Sequence, residues 1–236
     1  MPYRRLPNTD AARQRAIETA LEQSENVVPQ FLAYNQPTLM KLRKVSLQLA
    51  QALDTHNKTY LQRVNANKEY QKAFKKARLY LSHFVQVFNF CVIRKEIPKS
   101  SRKYFGIQPN DSTVPLMSSE IELVEWGNKI VEGEKQRLSE GGNAIYNPKI
   151  AVVKVEFENF MRLYKSQVTN KNSHDLSIKN LIRVRKEADN LIVDIWNQVE
   201  EYYSKYPANE MRKNAERYGI KYVLRKKEKL LRNFSE

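Results

Sequence analysis

Three histidines, one cysteine and a surplus of lysine and arginine are the residues of this chain with chemistry in reserve, and their spacing decides which chemistry is open to them. Histidine serves acid–base or metal chemistry when a second group stands at a defined distance from it. His56, His83 and His174 are scattered, and none has a glutamate three residues before it, so the Glu-x-x-His pattern of di-iron carboxylate bundles fails. His83 falls beside core positions and reads as a buried, satisfied histidine; a catalytic role would need a partner that the sequence does not identify. Cys91 lies within Phe88-Asn89-Phe90-Cys91-Val92-Ile93 and reads as a buried structural thiol rather than a nucleophile. His-Glu-x-x-His, a phosphate-binding glycine-rich loop and Gly-x-Ser-x-Gly are all missing. The acidic run Glu120, Glu122, Glu125, Glu132, Glu134 reads as a solvated helix face. No catalytic residue, metal or cofactor is therefore expected, and the protein reads as a non-enzyme.

The positive charge is a better lead, because a formal charge of +15 favours acidic partners. Lys68, Lys72 and Lys75 share one helix face away from the apolar stripe, and so do Lys179, Arg183 and Lys186. Such rows can contact phosphate or an acidic protein; the plainer alternative is a face that meets only water. The densest charge is C-terminal, in Arg212, Lys213, Arg217, Lys221, Arg225, Lys226, Lys227, Lys229 and Arg232, opposed only by Glu216 and Glu228 over that stretch. Tyr218, Tyr222 and Phe234 are interleaved with it and offer stacking faces to single-stranded nucleic acid. Ile220, Tyr222, Val223, Leu224, Leu230 and Leu231 instead mark a segment that docks on the body.

These rows need long helices to hold them. The chain carries only six glycines and nine prolines, clustered between stretches that contain neither. A first helix is expected after Asn8-Thr9-Asp10, running to about Gln23 and burying Ile17 and Leu21. Between Thr38 and Ile97 apolar residues recur at helical spacing through Leu39, Leu42, Leu49 and Leu53, and again through Tyr70, Phe74, Ala77, Leu81, Phe84 and Phe88. One helix of that length would reach about 90 Å at 1.5 Å per residue. A hairpin turning between Asp54 and Lys68 is preferred, since His56, Asn57, Asn65 and Asn67 weaken helix preference. Ser119 and Glu122 form a capping-box pattern ahead of a short helix that buries Trp126 and Ile130 and stops at Gly141-Gly142, with Gly127 and Gly133 weakening its interior. Val152–Phe157 alternates like a strand, but Phe160, Met161 and Tyr164 continue a helical rhythm. After a polar turn at Asn170-Lys171-Asn172-Ser173 comes a clean stripe of Leu181, Val184, Ala188, Leu191, Ile195, Val199, Tyr202 and Tyr206.

The two halves share this order of parts. Each has a Tyr-Asn entry closed by a proline (Pro37, Pro148), a long glycine-free stretch, an exit proline (Pro98, Pro207) and an ending of aromatic-Gly-Ile (Phe105-Gly106-Ile107, Tyr218-Gly219-Ile220). The entry prolines set an offset of 148 − 37 = 111, which pairs Leu42 with Val153, Leu49 with Phe160, Ala77 with Ala188, Tyr80 with Leu191, Phe84 with Ile195 and Phe88 with Val199. It also pairs Lys68 with Lys179, Lys72 with Arg183 and Lys75 with Lys186; it fails at Val45, which falls on Glu156.

The expected fold is all-α: a bundle of four long helices from two pseudo-repeated hairpins, with short flanking helices. The first repeat would span 1–107, a linker 108–117 and the second repeat 118–236, packed as one domain; two separate three-helix units are the alternative. No apolar run approaches a membrane span, the N-terminus lacks the apolar core of a secretory signal, and a single cysteine requires no oxidising compartment, so a cytoplasmic location is expected. The opening Tyr3-Arg4-Arg5-Leu6-Pro7-Asn8-Thr9-Asp10-Ala11-Ala12-Arg13 resembles the start of an uncharacterised family of bacterial all-helical proteins, a resemblance that implies no activity. The functional expectation is a helical interaction or scaffold protein presenting basic faces to an acidic partner. Its alternatives are nucleic-acid binding through the C-terminal segment and a small-ligand site within the bundle, hinted at by thirteen tyrosines.

Overall fold

The computed structural model describes residues 2–224. Strand β1 (Tyr3–Arg4) is followed by α1 (Asp10–Asn26), a 3₁₀ turn (Pro29–Phe31), α2 (Gln36–Ile93), a 3₁₀ helix (Lys99–Phe105), α3 (Glu120–Ser139), α4 (Ile150–Tyr203), α5 (Ala208–Glu216) and strand β2 (Tyr222–Val223). The described residues are all-α apart from the two short strands, which pair antiparallel, Tyr3 with Val223 and Arg4 with Tyr222.

Local signals place the helix starts. Thr9 caps α1, its hydroxyl accepting from the Ala12 amide, and Ser119 and Glu122 complete a reciprocal capping box at α3. Ile17 is buried in α1, whereas Leu21 is only partly so. In α3 Ile130 is buried and Trp126 half-buried. Val152–Phe157 is helical, so the β-branched residues there follow the rhythm of Phe160 rather than their own strand preference.

The two expected hairpins do not form. Residues 54–68 run straight through α2, a single helix of 58 residues, and Asn170–Ser173 runs straight through α4, a helix of 54 residues. Asparagine and histidine each cost a helix only about 0.5 kcal/mol, whereas ending one leaves four carbonyls or amides without partners. With no proline or glycine at either place, the backbone continues. What the polar residues do mark is a loss of burial: no residue of α2 between Ala52 and Tyr70, and none of α4 between Phe160 and His174, is buried.

The chain separates into two compact units. One takes the residues up to Thr59 and those from His174 onward; the other is Tyr60–Ser173. Each therefore draws on both halves of the sequence. In the first unit, α1, the start of α2 and the end of α4 run together, with Leu42 and Leu49 meeting Leu181, Val184, Ala188, Ile195 and Val199 around Ile17, Tyr34 and Tyr218. Its two long segments are antiparallel, as contacts from Thr38 to Asp194 and from Thr59 to Ser177 require. In the second unit, α3 packs with the end of α2, the start of α4 and the 3₁₀ helix around Phe84, Phe88, Phe105, Ile130, Phe157 and Phe160. There Tyr70 meets Tyr164 and Lys76 pairs with Glu156 at 2.7 Å, so the segments are again antiparallel.

Burial follows the offset of 111. On α2 the buried row Tyr70, Ala73, Ala77, Leu81, Phe84, Phe88 is matched on α4 by Leu181, Val184, Ala188, Ile192, Ile195, Val199, all buried. Gly106 and Gly219 both hold left-handed backbone, φ 68° and 84°, between a buried aromatic and a buried isoleucine.

Candidate functional site: a basic cleft in the first unit

The polar features expected from the sequence fare differently. His83 is exposed, not buried: it lies one position off the row of Ala77, Leu81, Phe84 and Phe88, and a one-residue step turns a side chain 100° around the helix. His56 and His174, scattered in sequence, meet in the first unit with ring centroids 5.3 Å apart. His174 is buried, and the Thr59 hydroxyl stands 3.3 Å from its Nδ1 and 2.9 Å from the Ser177 hydroxyl. Cys91 is buried, and that burial pushes its thiol pKa up, away from the reactive thiolate. Glu120, Glu122, Glu125 and Glu132 are solvated, but Glu134 is fully buried. It accepts two bonds of 2.7 Å from Arg137, which also donates to the Asn143 carbonyl, so the pair fastens the end of α3 to the loop behind it. Among the described residues no group of three or more histidines, cysteines or carboxylates is placed to hold a metal ion.

Three of the tyrosines, Tyr34, Tyr218 and Tyr222, are tied into the core of the first unit. Tyr34 donates to the Ala20 carbonyl, Tyr218 is buried against Tyr34 and Tyr203, and Tyr222 donates to Glu200. Desolvation raises the pKa of all three phenols, most strongly Tyr218 and Tyr222. Two of the three aromatics expected to stack on a nucleic acid, Tyr218 and Tyr222, are thus committed to holding the C-terminal segment against the body, and Phe234 lies outside the described residues. That segment docks through Tyr218, Ile220 and β2 as far as it is described.

The basic rows are all solvent-facing. Lys68, Lys72 and Lys75 are exposed on α2 in the second unit; Lys179, Arg183 and Lys186 are exposed on α4 in the first. Two are already in ion pairs, Lys72 with Glu69 at 3.4 Å and Arg183 with Glu187 at 2.5 Å. Of the C-terminal cations, Lys213, Arg217 and Lys221 are exposed and Arg212 is half-buried. Arg225, Lys226, Lys227, Lys229 and Arg232 lie outside the described residues.

Lys221 is where the structure adds something new. The Arg5 amide donates to the Lys221 carbonyl at 2.8 Å, extending the β1–β2 pair and setting the two residues side by side. The chain then passes through Leu6 and Pro7 into the Thr9 cap of α1, whose Ala12, Arg15, Ala16 and Thr19 recur at helical spacing along one face. These elements, over the buried indole of Trp196, enclose a cleft of about 370 Å³ lined by Arg5, Arg15 and Lys221 and, among the described residues, by no carboxylate.

Nearby cations show that carboxylates are within reach of this region. Arg4 pairs with Glu200 at 3.4 Å, Arg13 with Asp189 at 2.7 Å and Arg185 with Asp10 at 2.5 Å. The Arg185 fork holds the Asp10 carboxyl below its usual pKa, and the bond to Asp189 raises that of Arg13. Arg5, Arg15 and Lys221 have no side-chain hydrogen bond or ion pair among the described residues. Sequence reasoning finds Lys221 in the C-terminal run but misses Arg5 and Arg15, because only a strand pair two residues long brings positions 5 and 221 together.

Comparison with family models, curated proteins and solved structures finds no match. No helix among the described residues is long and apolar enough to cross a membrane.

Proposed function

We propose that this protein is a non-enzymatic helical binding protein that presents a basic face to an acidic protein partner, with the cleft of Arg5, Arg15 and Lys221 at its centre. The observation that carries this reading is selective pairing: Arg4, Arg13 and Arg185 are neutralised by carboxylates, while the three cations of the cleft pair with no carboxylate among the described residues. Lys179, Arg183 and Lys186 add exposed charge on the same unit, and the sequence beyond Leu224 continues with Arg225, Lys226, Lys227 and Lys229. Convergent positive charge speeds encounter with an acidic surface and makes the complex salt-sensitive.

The scaffold that carries this face is an internal duplication, with copies at 1–107 and 118–236 joined by 108–117. The matched buried rows and the two left-handed glycines support this reading, as does the interleaving of the units, each built from the start of one long helix and the end of the other.

The test is capture of partners by the full chain at low and high salt, with and without nuclease. An acidic protein that survives nuclease, is released by salt and is lost from the double variant Arg15→Glu, Lys221→Glu is the expected result. Material removed by nuclease would favour nucleic-acid binding instead, and undiminished capture by the double variant would remove the cleft from the reading. A second variant, Lys72→Glu with Arg183→Glu, reports whether the helix rows contribute.

A further inference from the structure

We infer that the cleft of the first unit is a site for a phosphomonoester dianion. The inference rests on the reading of this cleft as an anion site and names the ligand chemistry. A single carboxylate carries one negative charge and leaves most of the charge of Arg5, Arg15 and Lys221 uncompensated. A phosphomonoester carries up to two charges and three terminal oxygens, one for each cation. Guanidinium groups suit it further, since their planar forks present parallel N–H donors to phosphate oxygens. The Thr19 hydroxyl on the same wall is an additional donor.

The remainder of the lining says what the phosphate is attached to. Leu6, Pro7 and Ala12 give the cleft an apolar side, and the buried indole of Trp196 lies beneath it. At about 370 Å³ the cleft falls in the range of small-ligand sites, larger than a phosphoryl group alone requires. The ligand class is therefore a phosphate on a compact, partly apolar carrier.

Titration calorimetry on the full chain with phenyl phosphate, benzoate and inorganic sulfate at constant ionic strength tests this. Phenyl phosphate and benzoate share a ring and differ in the anionic group, so phenyl phosphate is expected to bind at least about tenfold more tightly. Its affinity should rise between about pH 5 and 7 as the second phosphate proton leaves near pH 6, whereas sulfate, a dianion throughout, should show no such rise. Arg15→Gln and Lys221→Gln should each weaken phenyl phosphate about tenfold, while Lys171→Gln, exposed in the other unit, leaves it unchanged. Equal affinity for benzoate and phenyl phosphate, or indifference to both cleft substitutions, overturns the inference. If phenyl phosphate fails while Arg15→Glu with Lys221→Glu still abolishes capture of an acidic protein, only the ligand assignment falls; if that double variant changes neither, the anion site falls with it.

Discussion

Gly133→Ala sets two well-characterised effects against each other at one position, and the structure predicts which prevails. Helix preference alone favours the substitution, because alanine in a helix interior is better than glycine by about 1 kcal/mol. The added Cβ, however, would stand 2.2 Å from the Tyr104 carbonyl oxygen and 2.8 Å from its carbon. Relief to an ordinary contact of about 3.4 Å needs a shift of more than about 1 Å, and the atom in the way is backbone, which cannot rotate aside. Moving it drags Phe105, whose buried ring is packed edge-on against Phe88 at 4.8 Å and against Phe84 at 6.3 Å. Overpacking of this kind costs about 1–3 kcal/mol, and the upper half of that range applies where main chain must move. Subtracting the gain in preference leaves a net loss of about 1–2 kcal/mol, or roughly 2–8 °C in midpoint for a chain of this size. Gly127→Ala is the control: its Cβ would meet the Phe157 ring at 2.1 Å, a side chain, so Phe157→Leu should recover much of the loss there and nothing at Gly133. Thermal and urea unfolding followed by circular dichroism measure the parent, the two single variants and each of them combined with Phe157→Leu. A midpoint for Gly133→Ala equal to or above the parent would mean that the 3₁₀ helix does not lie against α3 as described.

Three further outcomes follow from the same structure. Glu134→Ala should cost about 3–5 kcal/mol in urea unfolding by leaving the Arg137 guanidinium buried and unpaired, whereas Glu134→Leu combined with Arg137→Met should cost far less; a double variant as unstable as the single one would contradict this. Because Arg185 depresses the Asp10 pKa, the stability this carboxylate contributes is present above its unfolded value near 3.9 and is lost as pH falls through the lower folded value. Asp10→Asn should therefore lose less stability than the parent on acidification from pH 5 to 2, and equal losses would refute the coupling. In hydrogen exchange, amides of residues 60–69 and 161–173 should exchange sooner than those of 77–88 and 184–199, since the former stretches bury nothing; uniform protection along each helix would count against it.

The all-α class and the helix starts were legible because they depend on neighbours in sequence: Thr9 and Ser119 cap within three residues, and the buried row from Leu181 to Val199 repeats every turn. Length and continuity were not. His56, Asn57, Asn65 and Asn67 read as a turn, yet these residues signal only that the helix has lost its buried face. Burial and backbone hydrogen bonding fail independently, and only proline or glycine would have stopped the second. Gly127 and Gly133 read as weaknesses of α3 and are instead places where Phe157 and Tyr104 approach too closely for a Cβ. Glu134 read as one more solvated acid; its spacing to Arg137 was visible, but the sequence offered no sign that the pair is buried.

On the duplication reading, the cleft is where the two copies have diverged. Aligning the caps Thr9 and Ser119 places Asp10 opposite Glu120, and both acids reach the far end of the other copy's long helix, Asp10 to Arg185 and Glu120 to Tyr70. That contact is architectural, since either copy uses it to hold its short helix in place. The same alignment sets Arg15 opposite Glu125, which is exposed and spent on Lys129 four residues on, 2.6 Å away. A shared scaffold preserves what packs and is free to vary what faces outward. An arginine at position 15, where the other copy places a carboxylate at the matching helical position, is a difference that packing does not demand. Arg15 faces outward and makes no contact that the packing of α1 needs, which is what the proposed anion site requires of it.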